Sequence, residues 1–574
     1  MQHIKFTVLF IFSVFTMQVQ AQERESDTLK TDVINVIKPY TPSISDAFKV
    51  KEQPNLNDTE PAMKKPIQYN IFSFPVASTF TPAKGTAQVI DKPKKEKLYS
   101  NYASLALGSN VTLLADVYLN HSLGRNQSVG AYLSHASTQT GVSNAIADTD
   151  LSNSKIDLNY ANREKDLAYT INAGYGIKTN NWYGLQQQLF TEQTADSLDL
   201  KQRYSNAYVS GDLTLEDGIV NSAGLLFRRF SDAYSSAENR FKIEANSKID
   251  ILEEVVNVGL EIDHVSGTFD QNYFSTDGIK YANTQIGLLP TYVFTQDDLV
   301  VNLGFKTVFA NDAELGKSKF FIYPNVTASY NLVDGYVSLF GGLTGGLNQN
   351  SYYAFAEENQ FVSIDLFITP TDEQYKAFAG MRGKITATVS YEVNGSYGAS
   401  KAQALFVNNE ITNTQQPYTF GNSFGVVYDN MTTISLGGRL DVKMNQDLTV
   451  GVKGNYFGYN TKTQEEAWNM PNLKASVFAD YKFTEKIYAG VSLFYVGTRK
   501  DLVFKEGLVS PTEPATVTLG SYLDANINAG YRYNDRLTFF MKGQNLTSTN
   551  YRKWQNTPVQ GIEILAGANY KFDF

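Results

Sequence analysis

The chain has 574 residues, 42% of them hydrophobic and 19% charged, with a formal net charge of -9 and no cysteine. Lacking thiols, it is excluded from disulfide scaffolds, thiolate metal sites and cysteine nucleophiles, and its acidic balance argues against nucleic acid, whose phosphates call for clustered lysine and arginine. No apolar run reaches the roughly 20 residues that a transmembrane helix needs.

At the N-terminus Lys5 precedes the apolar run Phe6 to Met17, and Val19-Gln20-Ala21 sets small side chains where a signal peptidase reads. Charge, apolar core and cleavage site in that order predict a signal peptide over residues 1–21. Residues 22–97 carry prolines at 39, 42, 54, 61, 66, 75, 82 and 93. Proline removes ladder donors, so this segment is expected to be extended and irregular, either periplasmic or inserted into a lumen. Two aliphatic islands, Thr31 to Ile37 and Tyr69 to Val76, have the composition to add an edge strand to a partner or to pack inside a barrel. The run Lys92 to Lys97 reads as an approach to a membrane face, or simply as a solvated stretch.

From Leu98 onward the period is two. Phe241, Ile243, Ala245, Ile249 and Ile251 alternate with Lys242, Glu244, Asn246, Lys248 and Asp250; Val256, Val258, Leu260 and Ile262 alternate with Asn257, Gly259, Glu261 and Asp263. Ile434, Leu436, Leu440 and Val442 oppose Ser435, Arg439, Asp441 and Lys443, and Leu523 to Tyr533 opposes Asp524 to Arg532 in the same way. Successive strand side chains point to opposite faces, so each run is a ribbon with one apolar and one charged face. Only Asp372 to Ala379 suggests a short helix. The 36 tyrosines and 36 phenylalanines suit the aromatic girdles of a membrane barrel.

Connections alternate as well. Short turns fall at Leu123 to Asn126, Asn162 to Asp166, Glu216 to Gly218, Asn445 to Asp447 and Asn534 to Asp535, and long loops at Lys178 to Gln202, Gly345 to Thr371, Ser400 to Asn430 and Thr547 to Gln560. Short turns on one rim and long loops on the other predict an all-β, transmembrane antiparallel barrel over residues 98–574, of about 22 strands give or take two. The count is ambiguous at Asn101 to Leu119 and at Phe420 to Asp429. In such a barrel Lys242, Glu244, Asp250, Glu261, Asp263, Arg439, Asp441 and Arg532 should face the lumen, their mixed signs making it hydrated and ion-paired.

The last strand, Gly561 to Phe574, sets Ile562, Ile564, Ala566, Ala568, Tyr570, Phe572 and Phe574 against Glu563, Leu565, Gly567, Asn569, Lys571 and Asp573. Together with Gly543-Gln544-Asn545-Leu546-Thr547 and Asn550-Tyr551 before it, this end resembles the barrel of the TonB-dependent receptor family. The resemblance implies an integral outer-membrane location in contact with lipid. It also implies recognition by the barrel-assembly machinery through Gly567, Tyr570, Phe572 and the terminal Phe574, and it offers Asp32, Val33, Ile34 and Val36 as a TonB-box-like strand. Importing members carry a globular plug before the barrel, for which residues 22–97 are too few.

Chemistry is sparse. His121, His135 and His264 are the histidines beyond the leader, and none sits in a nucleophile-elbow setting, so no catalytic residue, cofactor or nucleic-acid partner is expected. Asp148, Asp150 and Asn153 offer alternate oxygen ligands for calcium, but the favoured reading is a solvated acidic loop. The expected role is passage or import of a solute through the lumen. The alternative is a structural barrel that anchors partner proteins in an outer-membrane complex.

Overall fold

In a bilayer every backbone donor and acceptor has to be matched within the protein, which two-faced strands achieve only by closing into a ring. The computed structural model describes residues 97–574 apart from 252, 274, 276, 413–415, 505–513 and 549. The leader, the proline-rich segment up to residue 96 and the strand Asp32, Val33, Ile34 and Val36 lie outside the described residues. Twenty-two antiparallel strands follow chain order around one sheet, from Asn101–Gly108 to Glu563–Phe572. These two end strands pair in register from Asn101↔Phe572 to Gly108↔Leu565 and close the ring.

Both ambiguous places are resolved. Asn101–Gly108 and Thr112–Ser122 are separate strands, joined through a tight turn in which Asn110 and Val111 take positive φ. No extra hairpin occurs at 420–429, because most of that stretch belongs to the strand Phe424–Lys443. The helix expected over 372–379 is instead part of the strand Thr371–Thr386, paired on both sides. There the ladder hydrogen bonds of two neighbours outweigh a weak local helical preference. The short helices Glu192–Asp196 and Tyr352–Glu358 lie in long loops.

The wall is uneven. The end strand Asn101–Gly108 has 8 residues, whereas Val389–Asn408 and Phe424–Lys443 have 20 each. A barrel strand crosses a bilayer in about 9–11 residues, so this tall hairpin runs well past the hydrocarbon layer. Consequently the loop expected over 400–430 shrinks to 409–423. Its register shifts between Ser400 and Gln403, where Ala402 has φ 52°. Before that bulge Val393 is 53% exposed; after it Leu405 and Val407 are 1% and 7% exposed. An extra residue in one strand breaks the alternation and bends it, so the hairpin leaves the outward wall there and is covered on both faces.

Candidate functional site

The charged faces of the strands carry an ion-pair ladder. Lys242 Nζ lies 2.5 Å from Glu244 and 3.4 Å from Glu261, and Lys306 Nζ lies 2.6 Å from the other Glu261 oxygen. Glu244 and Glu261 are cross-strand partners, so the two lysines offset a like-charge pair that would otherwise destabilise the sheet. Arg240 donates to both Asp263 oxygens at 2.9 and 2.5 Å, and Arg439 to both Asp441 oxygens at 2.6 and 3.2 Å. Arg532 stands 5.5 Å from the Tyr488 ring centroid, and Asp250 is exposed near a short turn. Arg240 and Lys306 were not singled out from the sequence. Both share the parity of the charged face, opposite exposed Phe241 and Phe305, and strict counting in twos finds them.

At the long-loop rim a second structure has formed, which no sequence periodicity announces. The segment 349–370 folds into the helix Tyr352–Glu358, whose Ser351 Oγ accepts from Ala354 N at 3.1 Å. Glu238, at the end of the strand Ala237–Ile251, accepts from Tyr352 N at 2.6 Å, Tyr353 N at 3.2 Å and Tyr281 Oη at 2.7 Å. A wall carboxylate thus holds the first turn of a loop helix, satisfying donors that a helix start leaves unpaired. Tyr352 Oη also donates to Asp232 at 2.8 Å.

Around this helix, loops from distant parts of the ring meet. Trp554, from the last long loop, packs on Phe406 and Phe424 with ring centroids 5.3 and 5.5 Å apart. Tyr183 Oη donates to Pro558 O at 2.8 Å, and Asn422 Nδ2 to Trp182 O at 2.8 Å. Trp182, Tyr352, Ile364, Ile368, Tyr418 and Phe424 have 1% or less of their surface exposed, giving this cap a core of its own. A second layer covers the other face of the tall hairpin, where Trp468 joins Leu405, Val407 and Met431. Asp429 ties it down by accepting from the backbone N–H groups of Lys462, Thr463 and Gln464 at 2.8 to 3.0 Å. Burial raises the Asp232 and Asp365 carboxyls above the usual range against the hydrogen bonds they accept, and pushes Asp501 up to about 7.

The remaining expected residues are placed as follows. Tyr570 and Phe574 are exposed, Tyr570 stacks on Phe572 at 5.9 Å, and Phe572 meets Phe574 edge-on at 5.6 Å. Gly567 lies at the seam, where a Cβ would strike Leu105 O and come within 2.6 Å of Ala106 Cβ. Asp150 is engaged by Lys201 at 3.1 Å and Asn181 at 2.5 Å, and among the described residues no group of side chains is arranged to hold a metal ion. His135 bonds Ser154 and Ser137 at 2.7 and 3.0 Å, and His264 bonds Thr284 at 2.8 Å. Both histidines share the outward parity of exposed Leu133, Leu260 and Ile286.

A closed ring with exposed leucine, isoleucine and phenylalanine outside and ion pairs on the opposite face has the fold of an integral outer-membrane β-barrel. No protein-family model matches the chain, and no curated protein does. Among solved structures it is similar to the FrpB iron transporter from Neisseria meningitidis (F3-3 variant), with TM-score 0.64 and 11% identity over 83% of this chain and 82% of that one. It is also similar to the ferric-catecholate import receptor Fiu from K12 E. coli, with TM-score 0.59 and 11% identity over 83% and 82%. The pyoverdine outer membrane receptor FpvA from Pseudomonas aeruginosa PAO1 gives TM-score 0.60 and 12% identity over 83% and 79%. These are TonB-dependent receptors, and the likeness is one of fold: this chain has the 22-stranded barrel of that class.

Proposed function

We propose that the barrel is an outer-membrane passage for a solute, closed at its long-loop rim by the cap in the resting state. On this reading Lys242, Glu244, Asp250, Glu261, Asp263, Arg439, Asp441 and Arg532 line a hydrated lumen, and residues 22–97 occupy part of it. Asp32, Val33, Ile34 and Val36 offer TonB an added strand, while Gly567, Tyr570, Phe572 and Phe574 are read by the assembly machinery. The observation that carries the proposal is the ion-pair ladder on the face opposite the lipid belt. Charged groups kept paired and partly exposed along a wall make sense where water and polar solute run beside them. Single-channel recording on the purified full chain in planar bilayers tests it. Low conductance that rises when residues 22–97 are deleted, or when the cap is loosened by Trp554→Ala, is the expected result. Silence in all three proteins refutes passage.

The depth of the cap core favours one other reading, a non-transporting barrel that presents its loops to partner proteins. Stoichiometric partners retained through gentle solubilisation, together with silent bilayers, would establish it.

A further inference from the structure

Ion pairing on the face opposite the lipid belt is uneven around the ring. Lys155, Arg240, Lys242 and Lys306, on strands between Leu151–Arg163 and Leu299–Asp312, are each paired with a carboxylate. Further round, Arg382 on Thr371–Thr386, Arg532 on Tyr522–Arg532 and Lys542 on Leu537–Gln544 share the inward parity, opposite exposed Met381, Tyr531 and Met541. Among the described residues none of these three has an ion-pair partner. Each stands by an aromatic ring instead, Arg382 5.5 Å from the Phe340 centroid, Arg532 5.5 Å from Tyr488 and Lys542 5.2 Å from Phe540. A ring attracts a cation without neutralising it, so the charge stays available to a solute.

At Arg382 the wall is also hollow. A cavity of about 220 Å³ lies just inside the short-turn rim, with Asn302, Thr327, Ser329, Phe340, Phe378 and Arg382 in its lining. Its floor is two rings set across two glycines. Phe340 pairs with Gly380 and Phe378 with Gly342, and a Cβ on either glycine would come within 2.8 Å of the ring opposite. Glycine in these strands lets the rings approach the backbone closely, which leaves an apolar floor with polar edges. Two of those edges are unmet. Arg382 is the cross-strand partner of Glu392, but Glu392 Oε1 accepts from Asn394 Nδ2 at 3.1 Å, and the exposed guanidinium has no carboxylate. Asn302 Oδ1 is buried, and among the described residues no donor reaches it. A buried acceptor left without a donor costs free energy until something in the space beside it supplies one. Small-molecule sites commonly measure about 300–1,000 Å³, so a hollow of this size takes a single substituted ring.

We propose that this hollow binds an aryl carboxylate whose ring carries a hydrogen-bond donor. The ring stacks on Phe340 and Phe378, the carboxylate meets Arg382, and the donor satisfies Asn302 Oδ1, with Thr327 and Ser329 as polar edges. The proposal rests on the reading of the barrel as a solute passage and gives that passage a substrate class, organic anions with a flat apolar face. Arg532 and Lys542, each beside its own ring, extend the attraction for anions along the wall, because low-dielectric walls focus the field.

The probe is 4-aminobenzoate, followed by saturation-transfer NMR with the full chain in lipid nanodiscs against empty nanodiscs. Saturable binding is expected. Benzoate, which lacks the donor, should bind about threefold more weakly, and 4-aminobenzamide, which lacks the charge, about tenfold more weakly. Arg382→Gln should weaken both carboxylates about tenfold and leave the amide unchanged, Phe340→Ala should weaken all three, and Asn302→Leu should erase the preference for 4-aminobenzoate over benzoate. Retention of the heat-modifiable gel mobility of a closed barrel certifies each variant, and the three probes on the wild type test the proposal where a variant fails to close. No saturable binding of 4-aminobenzoate overturns it, and so does equal affinity for the three probes or an affinity that Arg382→Gln and Phe340→Ala leave unchanged. Uptake of 4-aminobenzoate into proteoliposomes, measured over protein-free vesicles, separates the two readings. Binding without uptake refutes passage and leaves the hollow, and uptake without saturable binding refutes the hollow and leaves passage.

Discussion

Leucine, isoleucine and phenylalanine build two regions of this molecule that behave in opposite ways. On the outer wall Leu105, Phe309, Ile434 and Leu436 stand exposed on strands whose apolar side chains recur at every second residue, as on the outer face of a membrane barrel. In the cap Phe230, Ile364 and Phe424 are buried in one core and Leu405 in the layer on the other face of the tall hairpin, drawn from strands and loops far apart in the chain. The wall gains little from packing side chain on side chain, since lipid tails are as apolar as leucine, and its stability rests on the closed ladder of backbone hydrogen bonds. A hydrophobic core stabilises the cap as it would a soluble domain. All three tryptophans of the chain, Trp182, Trp468 and Trp554, lie in the cap, so their fluorescence reports the cap alone.

The largest effect is expected from Trp554→Ala. Losing the ring contacts with Phe406 and Phe424 should cost the cap about 3–5 kcal/mol, the usual range for emptying a buried aromatic site. The tryptophan-fluorescence melt should move to markedly lower temperature while the barrel keeps its heat-modifiable gel mobility. Joint loss of both would show that cap and wall are one cooperative unit and break the comparison.

The wall was legible in the sequence because a period of two survives in each strand separately. The alternation around Phe241, Leu260 and Leu436 needs no knowledge of the neighbouring strand, and the turns at Asn445 to Asp447 and Asn534 to Asp535 mark its ends. The cap was not legible, because Tyr352, Tyr418 and Trp554 meet only through tertiary contacts and their loops have no repeat. Many of the aromatic rings expected in the girdles turn out to fill this cap. Glu238 shows the difficulty in one residue. By parity it is another polar side chain of the inward face, and nothing local reveals that it holds a helix over 110 residues further on. The bulge at Ala402 also hid the height of the hairpin, since a register shift erases the alternation that marks a strand.

A smaller effect is expected at the seam. Gly567→Ala puts a methyl group against Leu105 O and Ala106 Cβ, backbone and side chain of the opposite end strand. Overpacking of this kind costs about 1–3 kcal/mol. Here the gel mobility should lose heat resistance while the tryptophan melt stays in place, the mirror image of Trp554→Ala.

Acidity separates the regions by a third route. Burial raises the Asp501 pKa to about 7, above the roughly 3.9 of an unfolded aspartate. Between those values the folded cap holds the proton and the unfolded chain does not. Cap stability should therefore be greatest below about pH 4, fall as pH rises to about 7, and level off above. Asp501→Asn keeps an oxygen to accept from Asn408 N and Leu502 N, at 3.1 and 2.8 Å in the native chain, and should flatten that slope in a fluorescence melt from pH 4 to 8. An unchanged slope would move the titration to another carboxylate, Asp232 or Asp365 first.

The smallest effect is the sharpest comparison, because it sits on the hairpin that joins the two regions. Leu436 is 56% exposed on the outer face of Phe424–Lys443, while Leu405, on the paired strand beyond the bulge, is 1% exposed. Leu436→Ala exchanges one apolar contact with lipid for another and should change stability in lipid nanodiscs by no more than about 0.5 kcal/mol. Leu405→Ala empties a packed site and should cost the cap about 2–5 kcal/mol. Equal losses would mean that the outer face of this hairpin is covered by protein below the bulge as well as above it, and that the lipid belt ends short of Leu436.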